Sequence, residues 1–567
     1  MTKLQKYLPT AIIKISFILL LLGSLNACKK DGGVTPTPPP PPPPPPPPVT
    51  NVDTTTTIAT GWWNDAVFYE VFVRSFYDAN GDGNGDLNGL IQKLDYLNDG
   101  NPATTTDLGI TALWLMPIMS SPSYHGYDVT DYRNVESDYG TNNDFKALVA
   151  AAHARGIKVI IDYVMNHTSD QHPWFTQSAS GTADPYRSWY RWNATNPGGS
   201  GPWGQTVWHN RNSAWYYGLF WGGMPDLNYA TAAVKTEMFD IAKFWLQDMN
   251  VDGFRLDAIK YIFENGNQLE DVPATFQFLQ DFRTHYKSIK PEAVAVGEAW
   301  TSTDKIVPYV QNNRLDFCFE FDLASAIISS INNGSPAALS GKLNEVLASY
   351  RALQFGTFLT NHDQDRVMNL FSQDESKAKL AAGLLLTLPG IPFIYYGEEI
   401  GTTGAKPDEN IRTPLQWNGT AAAGFSTGTP WRNPQADYAL KNIAVSQANG
   451  TSLWHTYRSM IGIRNNQIAL RRGTFVNLTS SATSVLGFMR KYRSQGVIVA
   501  ANTSASAVTN LSLSMAAGSF PAGNYTLTEQ LTNTPISIVV NADGGFTNQN
   551  LGAIAGRTVA VFQMKKN

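Results

Sequence analysis

The sequence predicts an α/β protein built on a barrel of eight parallel strands, with an inserted subdomain after the third strand and a C-terminal antiparallel β-sandwich. Three observations lead to this expectation. From Gly61 onward, short apolar runs alternate with helical stretches, which indicates a parallel sheet covered by helices. A stretch rich in Trp, Gly and Asn, from His167 to Asn228, is too long for an ordinary loop. After Asn466, strand-like runs alternate with turn residues.

Eight apolar runs are the candidate barrel strands, and this number is typical of a (β/α)8 barrel. In chain order they are Ala66 to Val71, Ile110 to Met116, Lys158 to Tyr163, Gly253 to Asp257, Ala293 to Glu298, Asp316 to Phe321, Thr357 to Asn361 and Pro392 to Tyr396. The candidate strands of the C-terminal domain are Ser484 to Met489, Gly496 to Ala501 and Thr558 to Gln563.

The chain has 567 residues, of which 43% are hydrophobic, and this is enough for two or three folded units. We expect a lipoprotein signal peptide at 1–27 and a Pro-rich linker at 28–60. The barrel should occupy 61–166 and 229–466, interrupted by the subdomain at 167–228. The C-terminal β-sandwich should occupy 467–567.

The N-terminus has the pattern of an export signal. Lysines precede an apolar run at Ile15 to Leu22, which is shorter than the about 20 residues needed to span a bilayer. The segment Leu25 to Cys28 resembles a bacterial lipobox, in which the cysteine is acylated, so Cys28 is the predicted lipidation site. The alternative is an ordinary signal peptide with an incidental cysteine.

The segment after Cys28 predicts a tethered protein. Lys29 to Asp31 resembles the export tag of surface lipoproteins in Bacteroidetes, so we expect lipid anchoring to a bacterial membrane, with the outer membrane favoured; the sequence leaves open which membrane face, including the cell surface, the protein occupies. The run Pro38 to Pro48 predicts a polyproline II stalk. Such runs also bind aromatic grooves of other proteins, but a spacer is the simpler interpretation directly after a lipobox.

Charge and cysteine content exclude some classes of function. The formal net charge is -4 with 16% charged residues and no basic block, so nucleic acid is not an expected partner. The chain has two cysteines. If Cys28 is lipidated, Cys318 has no partner, and the exported domain should fold without a disulfide.

One candidate catalytic pair lies on the fourth predicted strand. Because residues two apart on a strand share a face, Arg255 and Asp257 should point the same way. A fixed cation beside a carboxylate favours its ionised form, which a nucleophile requires. A structural ion pair at a strand end explains this segment equally well.

Two further predicted strands also end in carboxylates. Glu298 has apolar neighbours, which raise a carboxyl pKa and suit a general acid, and Asp363 follows the seventh strand. Strand ends of a barrel converge on the face where active sites lie, and two carboxyls about 5 Å apart make a retaining glycosidase. The sequence does not give this spacing. His167 and His362 also follow strand ends and could bind sugar hydroxyls, although a lone histidine is more often structural.

Four segments, in order and each at a predicted strand end, resemble the signature regions of glycoside hydrolase family 13, the α-amylase family. They are Asp162 to His167, Gly253 to Asp257, Gly297 to Trp300 and Asn361 to Asp363. The resemblance implies that Asp257 is the nucleophile, Glu298 the general acid/base and Asp363 the carboxylate that stabilises the transition state.

The same resemblance implies substrate-binding residues. The segment Tyr124 to Asp128 is similar to the family segment that binds the sugar on the non-reducing side of the cleaved bond. The residues implied to line the cleft are His125, Tyr127, His167, Arg255 and His362, with Lys260 on the leaving-group side. Ala258, where relatives specific for α-1,6 bonds tend to carry Val, favours α-1,4 cleavage.

The resemblance favours an endo-acting α-amylase whose substrates are starch and maltooligosaccharides. Met224 to Asn228 resembles a segment of a subgroup rich in α-amylases, and Arg412 to Trp417 is similar to a segment shared by that subgroup and α-glucosidases. A neopullulanase- or cyclomaltodextrinase-like enzyme, an exo-acting α-glucosidase and a glucan transferase remain alternatives. A non-catalytic glucan-binding lipoprotein should have lost one of the three carboxylates. Resemblance to surface amylases of Bacteroidetes also implies glucan-import proteins as partners.

A loop near the start of the barrel predicts a metal site. Asp78 to Asp86 has oxygen-bearing side chains at alternate positions, with glycines between them. The Glu that closes an EF-hand is absent, so calcium sensing is not expected. Family relatives bind Ca²⁺ or Mg²⁺ at such a loop, which implies a structural ion; a turn without metal is the alternative, and no organic cofactor is expected. The implied ligands are Asp78, Asn80, Asp82, Asp86 and the carbonyl of Asn84.

Overall fold

The computed structural model describes residues 61–351 and 353–567. Its centre is a closed barrel of eight parallel strands in which each strand pairs with the next and the last pairs with the first. The strands are β1 (Phe68–Val71), β2 (Ala112–Leu115), β3 (Lys158–Tyr163), β4 (Gly253–Leu256), β5 (Val294–Gly297), β6 (Phe317–Phe319), β7 (Phe355–Thr357) and β8 (Ile391–Tyr395). The predicted α/β barrel is confirmed. The predicted signal peptide, the linker and Cys28 lie outside the described residues.

The seventh predicted strand is wrong in position. The strand is Phe355–Thr357, not Thr357 to Asn361, because backbone pairing with β6 and β8 is in register only around Gly356. Phe358 and Leu359 are buried in the loop that follows, and their apolar character extended the predicted strand. His362 and Asp363 therefore lie on a buried loop beyond the strand.

The helices follow the expected apolar periodicity. In Asn142–Ala154, the buried residues Phe145, Leu148, Val149 and Ala152 have the i, i+3, i+4, i+7 spacing of one helix face. None of the helices in the described ranges is both long and apolar enough to span a bilayer. The α-helices are Leu87–Gln92, Leu94–Leu97, Asn142–Ala154, Pro173–Ser178, Ala232–Gln247, Pro273–Ile289, Thr303–Val310, Phe321–Asn333, Ala337–Ser349, Val367–Leu370, Glu375–Thr387, Asp408–Ile411, Ile443–Ala448, Leu453–Asn466 and Ile468–Arg472. The 3-10 turns are Trp62–Asn64, Val73–Ser75, Arg187–Trp189, Ile259–Tyr261, Glu398–Ile400 and Ala421–Gly424.

The barrel interior is apolar over most of its depth and polar at the carboxyl ends of the strands. Side chains alternate between the two faces of a strand, so Ile160 and Asp162 on β3 point inward together. Asp162 pairs in register with Arg255 on β4. The apolar interior is formed by Phe68, Ala112, Trp114, Ile160, Val294, Val296, Phe317, Phe319, Ile391 and Phe393.

The inserted subdomain lies between β3 and the helix Ala232–Gln247. It contains the helix Pro173–Ser178 and a small antiparallel sheet of three strands. The strands are Trp192–Asn193, Trp208–Arg211 and Ala214–Tyr217, with the last in the middle. A β-bridge between His167 and Asp226 closes the subdomain onto the end of β3. A separate hairpin pairs Met119–Ser120 with Asp131–Val135.

The C-terminal domain is antiparallel, as predicted. Its strands are β9 (Thr474–Ser480), β10 (Val485–Tyr492), β11 (Gln495–Asn502), β12 (Val508–Met515), β13 (Gly523–Glu529), β14 (Pro535–Val540), β15 (Phe546–Ile554) and β16 (Thr558–Lys566). They form one hydrogen-bonded sheet in the order β14-β13-β16-β11-β10-β9-β12-β15, and all eight contribute to one apolar core.

Two fully buried arginines bind backbone carbonyls before β8, and one of them, Arg490, comes from the C-terminal domain. Arg464 donates to the carbonyls of Leu386 at 3.0 Å and Gly390 at 2.7 Å. Arg490 on β10 donates to the carbonyl of Thr387 at 3.0 Å. These carbonyls lie at the end of the helix Glu375–Thr387 and before β8, where a helix leaves backbone acceptors unpaired. Both arginines satisfy those acceptors, and Arg490 thereby fixes the C-terminal sheet against the barrel.

Candidate active site

A cleft of about 760 Å³ opens at the carboxyl ends of the barrel strands. The three carboxylates predicted from the sequence all line it. Its lining residues are His125, Tyr127, His167, Pro202, Trp203, Phe220, Trp221, Met224, Asp257, Ala258, Lys260, Tyr261, Glu270, Glu298, Trp300, Asp363, Asp408 and Arg412. In a barrel of this kind, the carboxyl ends of the strands are where catalytic residues collect.

The guanidinium of Arg255 lies at the bottom of the cleft and contacts three carboxylates. Its Nη1 lies 2.8 Å from Asp257 Oδ1 and 2.9 Å from Asp162 Oδ1. Its Nη2 lies 3.1 Å from Glu298 Oε2. The Arg255 side chain is 1% exposed. A single buried cation therefore holds Asp257 and Glu298 side by side.

Burial and the charge of Arg255 act in opposite directions on the pKa of each of these two carboxyls. Burial raises the pKa of Asp257, and the guanidinium of Arg255 opposes that rise. Burial also raises the pKa of Glu298; Arg255 opposes this rise, while the charges of Asp257 and Asp363 add to it. The pKa of both carboxyls is raised and both contact Arg255, so they form a pair in which one carboxyl can hold a proton beside an ionised partner.

The backbone between the two carboxyls is strained. Ala258 has φ 50° and ψ 36°, in the left-handed region that residues other than glycine rarely adopt. This conformation directs its N–H to Glu298 Oε2 at 3.0 Å. Strained conformations of this kind cluster at functional sites, where the surrounding structure holds them. Ala258 thus links the segment of Asp257 to the carboxyl of Glu298.

A second charged cluster surrounds Asp363, and His362 is its centre. The Nδ1 of His362 contacts Glu70 Oε1 at 2.5 Å, and its Nε2 lies 3.1 Å from Asp363 Oδ2. Nε2 also lies 2.6 Å from the hydroxyl of Tyr127. Arg412 donates through Nη2 to Asp363 Oδ1 at 2.9 Å. Asp363 therefore lies between two cations.

The environment fixes the charge of both groups in this cluster. Although burial opposes the charged form, Asp363 and Glu70 raise the pKa of His362 to about 9. Burial likewise opposes ionisation of Asp363, but His362 and Arg412 hold its pKa well below the usual range. The hydroxyl of Tyr127 donates to Asp162 at 3.1 Å, so it accepts from His362. Both ring nitrogens of His362 thus face acceptors, as an imidazolium requires.

The remaining candidate residues line the same cleft. His125 accepts from the backbone N–H of Tyr127 at 3.1 Å. His167 contacts the Tyr127 carbonyl through Nε2 at 3.1 Å, and burial lowers the pKa of His167 to about 4, so the ring is neutral at neutral pH. Lys260 pairs with Glu270 at 2.6 Å and donates to the carbonyl of Trp300 at 3.2 Å. Nine predicted catalytic and substrate-binding residues therefore meet around one cavity.

The predicted metal loop is compact. The carboxylate of Asp78 accepts from the backbone N–H groups of Gly81 at 2.7 Å and Gly83 at 2.8 Å. Gly83 has φ 99° and lies against the carbonyl of Thr429, so a side chain there would clash. Across the described ranges, no three His, Cys, Asp or Glu side chains form a group that could hold a metal ion by themselves. Asparagine and carbonyl oxygens would have to complete any site in this loop.

Four residues of the site were not among the sequence candidates. Glu70 and Asp162 lie at strand ends, and period-2 alternation from the strand centre could have identified both as inward-facing. Asp408 begins the short helix Asp408–Ile411 and Arg412 directly follows it, far along the chain from the other site residues. The segment Arg412 to Trp417 was noted as a subgroup marker, but a single sequence does not show that Arg412 contacts Asp363.

Comparison with known proteins identifies related chains. The family described as "Alpha amylase, catalytic domain" matches residues 70–473. Alpha-amylase 3 of Dictyoglomus thermophilum is 41% identical over 78% of this chain and 85% of its own length. Trehalose synthase/amylase TreS of Mycolicibacterium smegmatis is 35% identical over 80% of this chain and 84% of its own length. The oligo-1,6-glucosidase of Heyndrickxia coagulans is 32% identical over 79% of this chain and 93% of its own length. The crystal structure of the α-amylase from H. orenii is 38% identical, with a TM-score of 0.78, over 88% of this chain and 99% of that one.

The charge of His362 predicts a specific pH dependence of stability. The folded-state pKa of about 9 lies above the ordinary histidine value of about 6.5. The charged form therefore stabilises the fold fully below about pH 6.5, and this stabilisation is lost as the pH rises through about 9. The difference in free energy of unfolding between wild type and His362→Gln, measured by denaturant titration from pH 6 to 10, should shrink over that window.

His285 provides the matched control. His285 lies outside the cleft, and burial lowers its pKa, so the ring is already neutral above neutral pH. The difference in free energy of unfolding between wild type and His285→Gln should therefore stay constant in that pH range. A difference for His362→Gln that stays constant up to pH 10 would contradict the assigned charge.

Proposed function

The chain belongs to the α-amylase family of glycoside hydrolases, and we propose that it cleaves internal α-1,4-glucosidic bonds of starch and maltooligosaccharides with retention of anomeric configuration. The observation that carries the proposal is the pair Asp257 and Glu298, which contact the same guanidinium. Carboxyls about 5 Å apart belong to retaining enzymes, and a wider separation leaves room for water in inverting ones. Two carboxyls that share Arg255 favour the retaining class.

In the proposed mechanism, Asp257 attacks the anomeric carbon while Glu298 donates its proton to the departing glycosidic oxygen. The bond to that oxygen breaks, and a covalent glycosyl ester on Asp257 forms. Glu298, now a carboxylate, takes a proton from water, whose oxygen attacks the same carbon and releases Asp257. The raised pKa of Glu298 supports its role as acid in the first step and base in the second.

Asp363 is proposed to stabilise the positive charge that develops on the sugar in the transition state. His362 and Arg412 keep it ionised, so a negative charge is available without any proton transfer. Tyr127, whose ring stacks at 13° on His362, offers an aromatic face to the sugar undergoing cleavage. His125, His167 and Arg255 are proposed to bind or position that sugar.

An open cleft and the position of Lys260 support cleavage within chains. Lys260 is fixed by Glu270 and by the Trp300 carbonyl, beside the general acid, where it could bind the leaving-group sugar. Relatives carry the names amylase, oligo-1,6-glucosidase and trehalose synthase. The preferred bond and the fate of the covalent intermediate therefore differ among relatives, and for this chain both are proposed. Neopullulanase-like or α-glucosidase activity is the alternative.

The test is the product distribution over time from amylose, pullulan and short maltooligosaccharides, with enzyme that begins at Thr54. We expect the enzyme to release mixed oligosaccharides early from amylose and to leave pullulan almost untouched. Asp257→Asn and Glu298→Gln should each lower the rate by at least about 10³-fold while the protein remains folded, because each removes one of the two reacting groups. Glucose released alone, or panose from pullulan, would favour the alternative, and substantial activity in either variant would contradict the site.

We further propose that the loop of Asp78, Asn80, Asp82, Asn84 and Asp86 holds a structural Ca²⁺ or Mg²⁺ ion. The ligands would be side-chain oxygens of Asp78, Asn80, Asp82 and Asp86 and the backbone carbonyl of Asn84, and hard cations prefer such oxygen ligands. The ion would join parts of a loop that packs near Ser426, whose hydroxyl donates to Asp78 at 2.5 Å. Its contribution would be to stability and not to the reaction.

Metal removal should therefore lower the melting temperature. A chelator is expected to reduce Tm by several degrees, with recovery when Ca²⁺ is added in excess, because a bound ion stabilises only the folded state. Asp82 is exposed, so Asp82→Ala should fold yet lose the chelator effect. Asp99→Ala, in a separate loop at a half-buried position, should retain it. An equal Tm with and without chelator in wild type would contradict the metal site.

We also propose that Cys28 anchors the enzyme to a bacterial membrane, at the outer membrane and cell surface. The support is the sequence pattern alone, since these residues lie outside the described part of the chain. Cys28→Ala should move the protein from the membrane fraction to the soluble fraction, as measured by fractionation of expressing cells. Persistence of the variant in the membrane fraction would contradict lipidation. Glucan-import proteins are also proposed as partners, and co-purification would test this afterwards.

A further inference from the structure

A glycine-rich loop of the inserted subdomain, residues 198–206, carries an exposed tryptophan at the edge of the cleft. The side chain of Trp203 is 61% exposed, although burying a tryptophan is among the largest hydrophobic gains open to a chain. Trp221 and Trp300, 54% and 47% exposed, are the other strongly exposed tryptophans of the described ranges, and both line the same cleft. Exposed apolar surface concentrated at one cleft indicates a binding surface.

The loop holds Trp203 in a defined position. Ser200 and Thr206 form a β-bridge at its base. The side chain of Gln205 accepts from the backbone N–H of Trp203 at 2.9 Å and donates to the carbonyl of Leu219 at 3.0 Å. Leu219 is fully buried, so Gln205 fixes the loop to the core of the subdomain.

The ring of Trp203 is also fixed from behind. It packs against Phe220, with ring centroids 5.7 Å apart, and against Tyr261 at 6.0 Å. Tyr261 directly follows Lys260, which donates to the carbonyl of Trp300. Trp203 and Trp300 therefore lie on the side of the cleft where Lys260 is found.

A side of the cleft formed by charged and hydrogen-bonded residues has a different character. Its residues are Tyr127, Asp363 and Arg412, which are joined through His362. The proposed function assigns that side to the sugar that is attacked. Lys260, which the proposed function places on the leaving-group side, adjoins Tyr261, on which Trp203 packs, so we assign Trp203 to that side.

We infer that Trp203 is a glucan-stacking residue on the leaving-group side, which binds a sugar beyond the one next to the cleaved bond. The inference rests on the proposed function and adds a chain-length preference to it. A chain with two or more sugars after the cleaved bond gains the apolar contact with the indole ring, and a chain with one sugar does not. The residue thus favours cleavage inside a polymer over cleavage near its reducing end.

The test uses maltohexaose labelled at its reducing end, together with amylose, and compares wild type with Trp203→Ala, Trp203→Phe and Trp189→Ala. Trp203→Ala should shift the labelled products toward glucose and lower kcat/KM for amylose about 5- to 10-fold, mainly through KM, since an aromatic contact is lost. Trp203→Phe should restore much of the wild-type pattern. Trp189 is half-buried in the same subdomain, packs on Trp174 and does not line the cleft, so its variant should match wild type.

Two results would overturn the inference while the proposed function survives. One is an unchanged label distribution in Trp203→Ala; the other is an equal shift in Trp189→Ala, which would indicate a general effect on the subdomain. If wild-type enzyme leaves both substrates intact, the proposed function itself fails, and the inference fails with it. The high exposure of Trp203 predicts that its variants fold normally, which circular dichroism checks.

Discussion

The buried guanidinium of Arg255 is the interaction on which the rest of the site depends. It lies inside the barrel and contacts Asp162, Asp257 and Glu298, three acids that would otherwise repel one another in a region with little water. Burying an ion costs several kcal/mol, and this cost is offset only when the geometry and hydrogen bonds are good. The closed barrel supplies that geometry, because the register of β3 and β4 places Asp162 beside Arg255. The geometry of the site therefore depends on the same strand register that closes the barrel.

This constraint also explains how similar side chains acquire different properties. Glu298 shares its cation with two other acids and keeps a raised pKa, whereas Asp363 has His362 and Arg412 beside it and a lowered one. Environment, not residue type, therefore separates a proton donor from a permanent negative charge. Both environments are made by residues from distant parts of the chain, such as Glu70, which lies 292 positions before His362.

Whether the sequence predicts a feature of this structure depends on how far apart along the chain the interacting residues lie. Strand periodicity and the convergence of strand ends were enough to group Asp257, Glu298 and Asp363, because both are local or topological properties. The end of β7 was misplaced, since Phe358 and Leu359 are buried in a loop and mimic a strand. Contacts such as Arg412 with Asp363 depend on how loops fold over the barrel, and no local pattern encodes them. The loop from Asp78 to Asp86 reveals possible donors, but spacing alone does not distinguish a metal site from a turn.

The buried charged groups at the strand ends and the residues around the mouth of the cleft, its rim, lie on different segments, and this separation affects specificity. The proposed reacting groups, Asp257 and Glu298, directly follow strand ends beside the strained Ala258, where a small displacement would disturb several buried charges at once. The residues proposed to discriminate among substrates, Lys260 and Trp203 among them, lie on segments that line the open cleft. Such segments can change without altering the charges below them. Relatives with amylase, glucosidase and trehalose synthase names can therefore share one barrel, and the identity of the preferred glucan should be determined by the rim around the three tryptophans.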